Sequence, residues 1–204
     1  MPTKAAAASP VSRNERGTKR PRRRREMICD AAAVLFRERG YRGTSIDEIG
    51  AAVGMTGPAL YRHFPSKEAL LSEILERALD RARVEVENAR KDGGGPRAEL
   101  ERIVEGAVAL VVEQGETILL AAREMNQLSA EARQRIVRRQ RAIVELWTEA
   151  LRAVRPELDA PDAVAMVIGV SSLINAGSRS RGVRGEAKAE LFKRMALAAL
   201  LAKS

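Results

Sequence analysis

The 204-residue chain has one cysteine, one histidine and an aromatic content of only 3%. A lone cysteine excludes an intrachain disulfide framework. Cys29 and His63 have no second thiol or imidazole to help them, so no metal site is expected. No Gly-x-Ser-x-Gly or Ser-x-x-Lys elbow marks a nucleophile, which leaves an enzyme built on His63 without a partner for it. The longest apolar run, Ala163 to Val170, is too short to span a bilayer. The first residues lack the apolar core of a secretory signal. These absences lead to the expectation of a cytoplasmic protein with no membrane partner and no cofactor. Acidic residues are also scarce at the start. Residues 1–25 carry nine Lys/Arg against Glu15 alone, a charge of +8. The formal total is +9, so the other 179 residues carry only +1. A near-neutral globule with a basic arm favours a polyanionic partner.

Hydrophobic residues make up 45% of the chain, with no run of period-two alternation, and the chain reads as all-α. Residues 1–21 show no helical periodicity and read as a disordered basic arm. From Arg22 the pattern changes: Ile28, Ala31, Ala32, Leu35 and Phe36 mark an amphipathic helix ending at Gly40. In "TSIDEIGAAVG" either Thr44 or Ser45 can cap a short helix, with Asp47 or Glu48 three residues on. Gly54 supplies a tight turn, and Thr56 caps a second short helix with Pro58 in its first turn. "FPSKEALL" restarts the chain at Ser66 with a long helix to about Arg90, and "KDGGGP" reads as a linker. Further helices are expected near 97–114, 116–127, 130–154, 161–178 and 186–202, with turns at Gly115, Ser129, Arg155-Pro156 and Gly182–Gly185.

Two capped short helices joined by a Gly-led turn form a helix-turn-helix pattern, whose second helix enters the DNA major groove. Here that helix opens with Thr56, Gly57, Pro58 and Ala59. Thr56 can bond a base or phosphate, and Pro58 or Ala59 can touch a thymine methyl. Tyr61 and His63 offer donors to phosphate oxygens, Arg62 reaches a phosphate or a guanine, and Lys67 adds charge at a helix N-terminus. The stretch "AAAVLFRERGYRGTSIDEIGAAVGMTGPALYRHFPSKEALL" resembles the N-terminal signature of the TetR family of transcriptional regulators. The agreement covers about Arg24 to Leu71, including the Gly-Tyr after the first helix and the Leu-Tyr-Arg-His-Phe core. The resemblance implies that Thr44, Tyr61, His63 and Lys67 contact phosphates, while Thr56 to Ala59 and Arg62 face bases. Leu60 and Phe64 then pack inward, and Tyr61 and His63 face outward. The long basic arm departs from the pattern of many members. Arg22, Arg23, Arg24 and Arg25 read as phosphate or minor-groove contacts, with a solubilising tail as the alternative.

This reading divides the chain into the arm (1–21), a three-helix DNA-binding domain (22–68) and a ligand-binding and dimerisation domain (69–204). Four of the six aromatics lie in the DNA-binding part, which leaves Trp147 and Phe192 beyond it. A pocket there is therefore walled by aliphatic groups such as Val104, Val108, Val111 and Leu119, beside Trp147. Arg123, Asn126, Gln127 and Asn175 are the polar groups expected to orient a ligand. An aliphatic effector with a polar or anionic head, such as an acyl-CoA, fits that description. The run Arg133 to Arg141 reads as a solvated face, with an anionic head group as the alternative. Cys29 reads as a packed thiol rather than a redox sensor. The resemblance further implies a homodimer formed through the last two long helices, with Leu191, Met195, Ala198 and Ala202 on the second. The function expected is a small-molecule-responsive regulator on a palindromic site in double-stranded DNA, a repressor rather than an activator. The rival class is a nucleoid protein that coats DNA without regard to sequence.

Overall fold

A computed structural model describes residues 14–177 and 185–202 of the chain. Among these residues there are α-helices and one short 3₁₀ turn, with no strand. The helices are α1 (Asn14–Arg39), α2 (Ile46–Ala52), α3 (Gly57–Tyr61) and α4 (Lys67–Lys91), followed by α5 (Gly95–Glu124). After the 3₁₀ turn Met125–Gln127 come α6 (Ala130–Val154), α7 (Ala160–Ala176) and α8 (Gly185–Leu201).

Local chemistry sets most of the starts. Ser45 caps α2 in a reciprocal capping box: its Oγ accepts from the Glu48 N–H at 3.2 Å, and Glu48 Oε2 accepts from the Ser45 N–H at 2.8 Å. Thr56, Ser66 and Ser129 cap α3, α4 and α6 through their hydroxyls, and Asp159 caps α7 through its carboxylate. α4 stops where Gly93 and Gly94 take positive φ. The Arg102 guanidinium then satisfies its end by donating to the carbonyls of Ala89 and Gly93.

Two expectations are corrected here. Helix α1 opens at Asn14, eight residues before Arg22 and inside the stretch expected to be irregular. Extending an existing helix adds a hydrogen bond per residue without a new nucleation cost, and Arg and Lys are good helix formers. The arm's residues 1–13 lie outside the described residues, as does most of the turn expected at Gly182–Gly185. The second correction is at Gly115, where no turn occurs and α5 runs unbroken for 30 residues. A glycine inside a helix costs only about 1 kcal/mol relative to alanine. Core packing on both sides of it, from Leu100 to Leu120, outweighs that.

Two hydrophobic cores organise the chain. The first gathers Ile28, Ala32 and Phe36 of α1, Ile49 of α2, Leu60 of α3, Phe64, and Leu70 to Leu75 of α4. It also takes Leu120, Leu128, Ala132 and Ile136 from the α5–α6 junction. The second holds Val86 and Ala89 of α4 with Leu100 to Val111 of α5, Trp147 to Leu151 of α6, and α7 and α8. The division read at 68/69 falls in the first turn of α4, and the cores do not separate there. The N-terminal unit completes its core with residues more than forty positions further along the chain. Ile136→Ala should therefore destabilise that unit, by about 2–5 kcal/mol for a fully buried isoleucine. Urea unfolding followed on α1–α4 and on α6–α8 by hydrogen exchange would measure the loss and its location.

Candidate nucleic-acid interface

The turn between α2 and α3 is closed by backbone geometry that only small residues allow. Met55 donates its N–H to the Gly50 carbonyl at 2.8 Å, and Gly54 adopts φ +66°. A Cβ on Gly50 would stand 2.7 Å from the Met55 carbonyl oxygen and 3.3 Å from the Thr56 carbonyl carbon. A Cβ on Gly57 would meet the Asp47 carboxylate. The chain thus passes hard against α2 as α3 begins.

Helix α3 is seated by Leu60 and then Phe64, both fully buried against Ile28, Phe36 and Ile49. The opposite side carries Thr56, Pro58, Tyr61 and Arg62, all exposed, with Ala59 and His63 half-buried between them. Tyr61 is 52% exposed, a large value for an aromatic in so apolar a setting. Leu60 and Phe64 thus turn inward and Tyr61 outward as expected, while His63 is half-buried. Gly57 is buried against α2 and faces α2 rather than solvent. Arg22, Arg23 and Arg24 are exposed on α1, and Arg22 is paired with Glu26. Arg25 reaches the end of α3, which places this basic run beside the exposed strip.

Three residues expected to touch DNA have partners within the protein. Thr44 is 1% exposed, and its single hydroxyl proton is within reach of the carbonyls of Gly40 at 2.9 Å and Leu35 at 3.2 Å. Burial leaves it no route to a phosphate. Lys67 donates from Nζ to the carbonyls of Tyr41 and Thr44, each at 2.8 Å, and lies 4.4 Å from the centre of the Tyr41 ring. Its charge ties the α1–α2 turn to the start of α4. Arg25 is held by His63 O, Glu73 and the Phe64 ring.

The same footing includes two carboxylates that sequence patterns did not point to. Glu68 Oε1 accepts the Ser129 N–H at 2.8 Å, a bond that holds its carboxyl below the usual range. Glu124 Oε1 accepts the Tyr41 N–H at 3.4 Å. Burial, and then these two carboxylates, push the Tyr41 phenol up. Their partners lie 61 and 83 residues away, beyond any local spacing rule. Cys29 is 2% exposed and burial pushes its thiol up to about 11, as a packed thiol requires.

The expected ligand residues do not gather at one place. Val104, Val108, Val111 and Trp147 are buried together in the second core. Arg123 and Asn126 are exposed and Gln127 half-buried at the far end of α5, while Asn175 is exposed on α7. The Leu119 side chain lies outside the described residues. A cleft of about 390 Å³ between α4 and α5 is lined by Asp80, Arg81, Val84, Glu85, Leu110 and Glu113, none of them in the expected set. Within the basic run of α6, Arg135 and Arg139 pair with Glu76 of α4 at 3.3 and 3.2 Å. Arg139 also pairs with Asp80. These two arginines join α6 to α4.

A helix-turn-helix unit with an exposed second helix, mounted on a larger helical body, defines the class of DNA-binding transcriptional regulators. Residues 28–74 match the family model for bacterial regulatory proteins of the tetR family. Residues 93–177 match the model for the tetracyclin repressor-like C-terminal domain. The chain belongs to the TetR family. It is similar to the transcriptional repressor KstR2 of Rhodococcus jostii, with 34% identity over 110 residues, 54% of each chain. It is also similar to the transcriptional activator FasR of Mycolicibacterium smegmatis, with 40% identity over 72 residues, 35% of this chain and 33% of that one. These matches span about half or less of those relatives' lengths. Among solved structures, PfmR of Thermus thermophilus superposes with a TM-score of 0.74 at 26% identity, over 86% of this chain and 99% of its own. AibR, solved in complex with isovaleryl coenzyme A and operator DNA, gives 0.72 at 27%, over 85% and 96%. Members of this family are regulators rather than enzymes, so the enzyme reading of His63 is set aside.

The two glycines of the turn should respond differently to a methyl group. Gly50→Ala forces backbone apart and should cost about 1–3 kcal/mol. Gly57→Ala only has to displace the end of the exposed Asp47 side chain and should cost less. Chemical denaturation of both variants would check the order.

Proposed function

We propose that the protein is a homodimeric, ligand-responsive regulator that reads a palindromic site in double-stranded DNA through α3. The observation that carries this reading is the division of α3 into a buried side, Leu60, and an exposed strip, Thr56, Pro58, Tyr61 and Arg62. Small groups at the start of the helix allow close approach to base edges. Tyr61, Arg62 and His63 supply donors for phosphate oxygens or a guanine. Arg22, Arg23 and Arg24 add cations beside them, and the roles of all these residues belong to the proposal. The exposed faces of α7 and α8 support pairing of two copies. Ile168 is 51% and Met195 42% exposed there, with Gly169, Ser172 and Ala198 around them. A four-helix contact between such faces is a common dimer interface.

Control requires a molecule that binds the DNA-incompetent form better, and it weakens DNA binding only by that difference. The bonds from Glu68 to Ser129 and from Tyr41 to Glu124 join the footing of α3 directly to the α5–α6 junction. A shift at that junction therefore alters how α3 is presented. An aliphatic acyl-CoA is the effector favoured here. Support comes from the aliphatic second core, where Trp147 is the one fully buried aromatic, and from the likeness to AibR with its bound isovaleryl coenzyme A. Repression is the proposed direction, although the similar proteins include a repressor and an activator.

Selection of bound duplexes from random DNA at about 150 mM salt should enrich a palindrome, and Tyr61→Ala should abolish the enrichment. Binding without enrichment would instead favour a coating protein, because site-specific dimers discriminate by roughly 10³-fold or more. A series of acyl-CoA thioesters of increasing chain length should bind and release the selected DNA. Failure of every member to bind at micromolar concentration would overturn the effector class.

A further inference from the structure

We infer that Arg25 is a positioning residue for α3 and not a phosphate contact; the inference rests on α3 being the DNA-reading helix. Arg25 closes a run of four arginines, and charge alone would assign it to DNA. Its guanidinium is instead held on three sides. One terminal nitrogen donates to the His63 carbonyl at 2.5 Å, and the other pairs with Glu73 Oε2 of α4 at 3.1 Å. Its carbon lies 4.2 Å from the centre of the Phe64 ring, so the planar group covers the aromatic that seats the end of α3.

The need for such a clamp follows from the size of α3. A helix of five residues cannot hold its own shape, and the carbonyls at its end lack intrahelical partners. Thr56 closes the first turn through its hydroxyl, and the His63 and Phe64 N–H groups fold back onto the Leu60 carbonyl. Arg25 takes the His63 carbonyl, three residues beyond that of Leu60, and ties it to α1 and α4 together. Glu73 already supplies the anionic partner of this guanidinium. Only a flat, forked cation can stack on Phe64 while donating in two directions, so lysine is a poor substitute here.

That difference gives the test, made on the full chain with an operator duplex between about 50 and 200 mM salt. Arg25→Lys and Arg25→Ala should each weaken operator binding by about tenfold or more, as loss of a charged hydrogen bond implies. The slope of log K against log salt should stay unchanged in both. Arg24→Ala, next door and exposed, should flatten that slope by about 0.9. In the free protein, Arg25→Lys should speed amide exchange at His63 and Phe64 and leave α6–α8 unchanged. Wild-type affinity in Arg25→Lys, with a flattened slope in Arg25→Ala, would make Arg25 a phosphate contact and overturn the inference. A lowered melting temperature with unchanged affinity per folded molecule, and unchanged exchange at His63, would overturn it too. If the wild-type chain selects no duplex, the reading of α3 as a DNA-reading helix fails, and the exchange data still decide whether Arg25 holds it.

Discussion

Helix α4 belongs to two cores at once, and the rest of the molecule is arranged around that constraint. Leu70, Leu71, Ile74 and Leu75 fill the first core, and Val86 and Ala89 enter the second. At 25 residues the helix is about 37 Å long. Its first turn holds the α1–α2 connection through Lys67 and the start of α6 through Glu68. Its last turns are tied to α5 and α6 by Arg90, which pairs with Glu99 and Glu149. A rigid rod gripped at both ends cannot tilt in one core without disturbing the other.

Charge in the N-terminal unit separates into an inner and an outer set. Arg25, Arg39 and Lys67 have partners within the protein: Glu73, Glu48, and the carbonyls of Tyr41 and Thr44. Arg23, Arg24 and Arg62 are exposed and form no ion pair among the described residues. Along the other side of α4, Glu76 and Asp80 meet Arg135 and Arg139 in a row that sets α6 parallel to it. Half-exposed pairs of this kind contribute about 0–1 kcal/mol each. Arg139 reaches Glu76 and Asp80 at once, so the row links successive turns of α4 to α6.

Much of this could be read from local spacing. Thr56 and Ser66 announce their helices, and the Thr44–Ser45 pair announces α2, because a cap and its N–H partner lie within three residues. Leu60, Phe64 and the exposed strip followed from helical period and family resemblance together. The reading failed where partners are remote. The Lys67 ammonium looks free until Tyr41 folds back over 26 residues, and Arg25 looks free until His63 arrives 38 residues later. Thr44 looks like a surface hydroxyl until Phe36 and Tyr41 close around that turn, 5.2 Å apart between ring centres. Gly115 misled for the opposite reason, since a weak local preference gave way to packing along a 30-residue helix. The ligand residues were assigned by helix position alone, and position along a helix does not say which face turns inward.

The brevity of α3 has a consequence for substitution. Its place is fixed by Leu60, Phe64, the Thr56 cap, and the glycines at 50 and 57. Pro58, Tyr61 and Arg62 take almost no part in that packing. Substitutions at Tyr61 and Arg62 remove no core contact, so that outward surface can change with little loss of packing. The packed side and the exposed side of one short segment are thereby carried by different residues. Exposed side chains there can change one at a time while the residues that seat the segment stay the same.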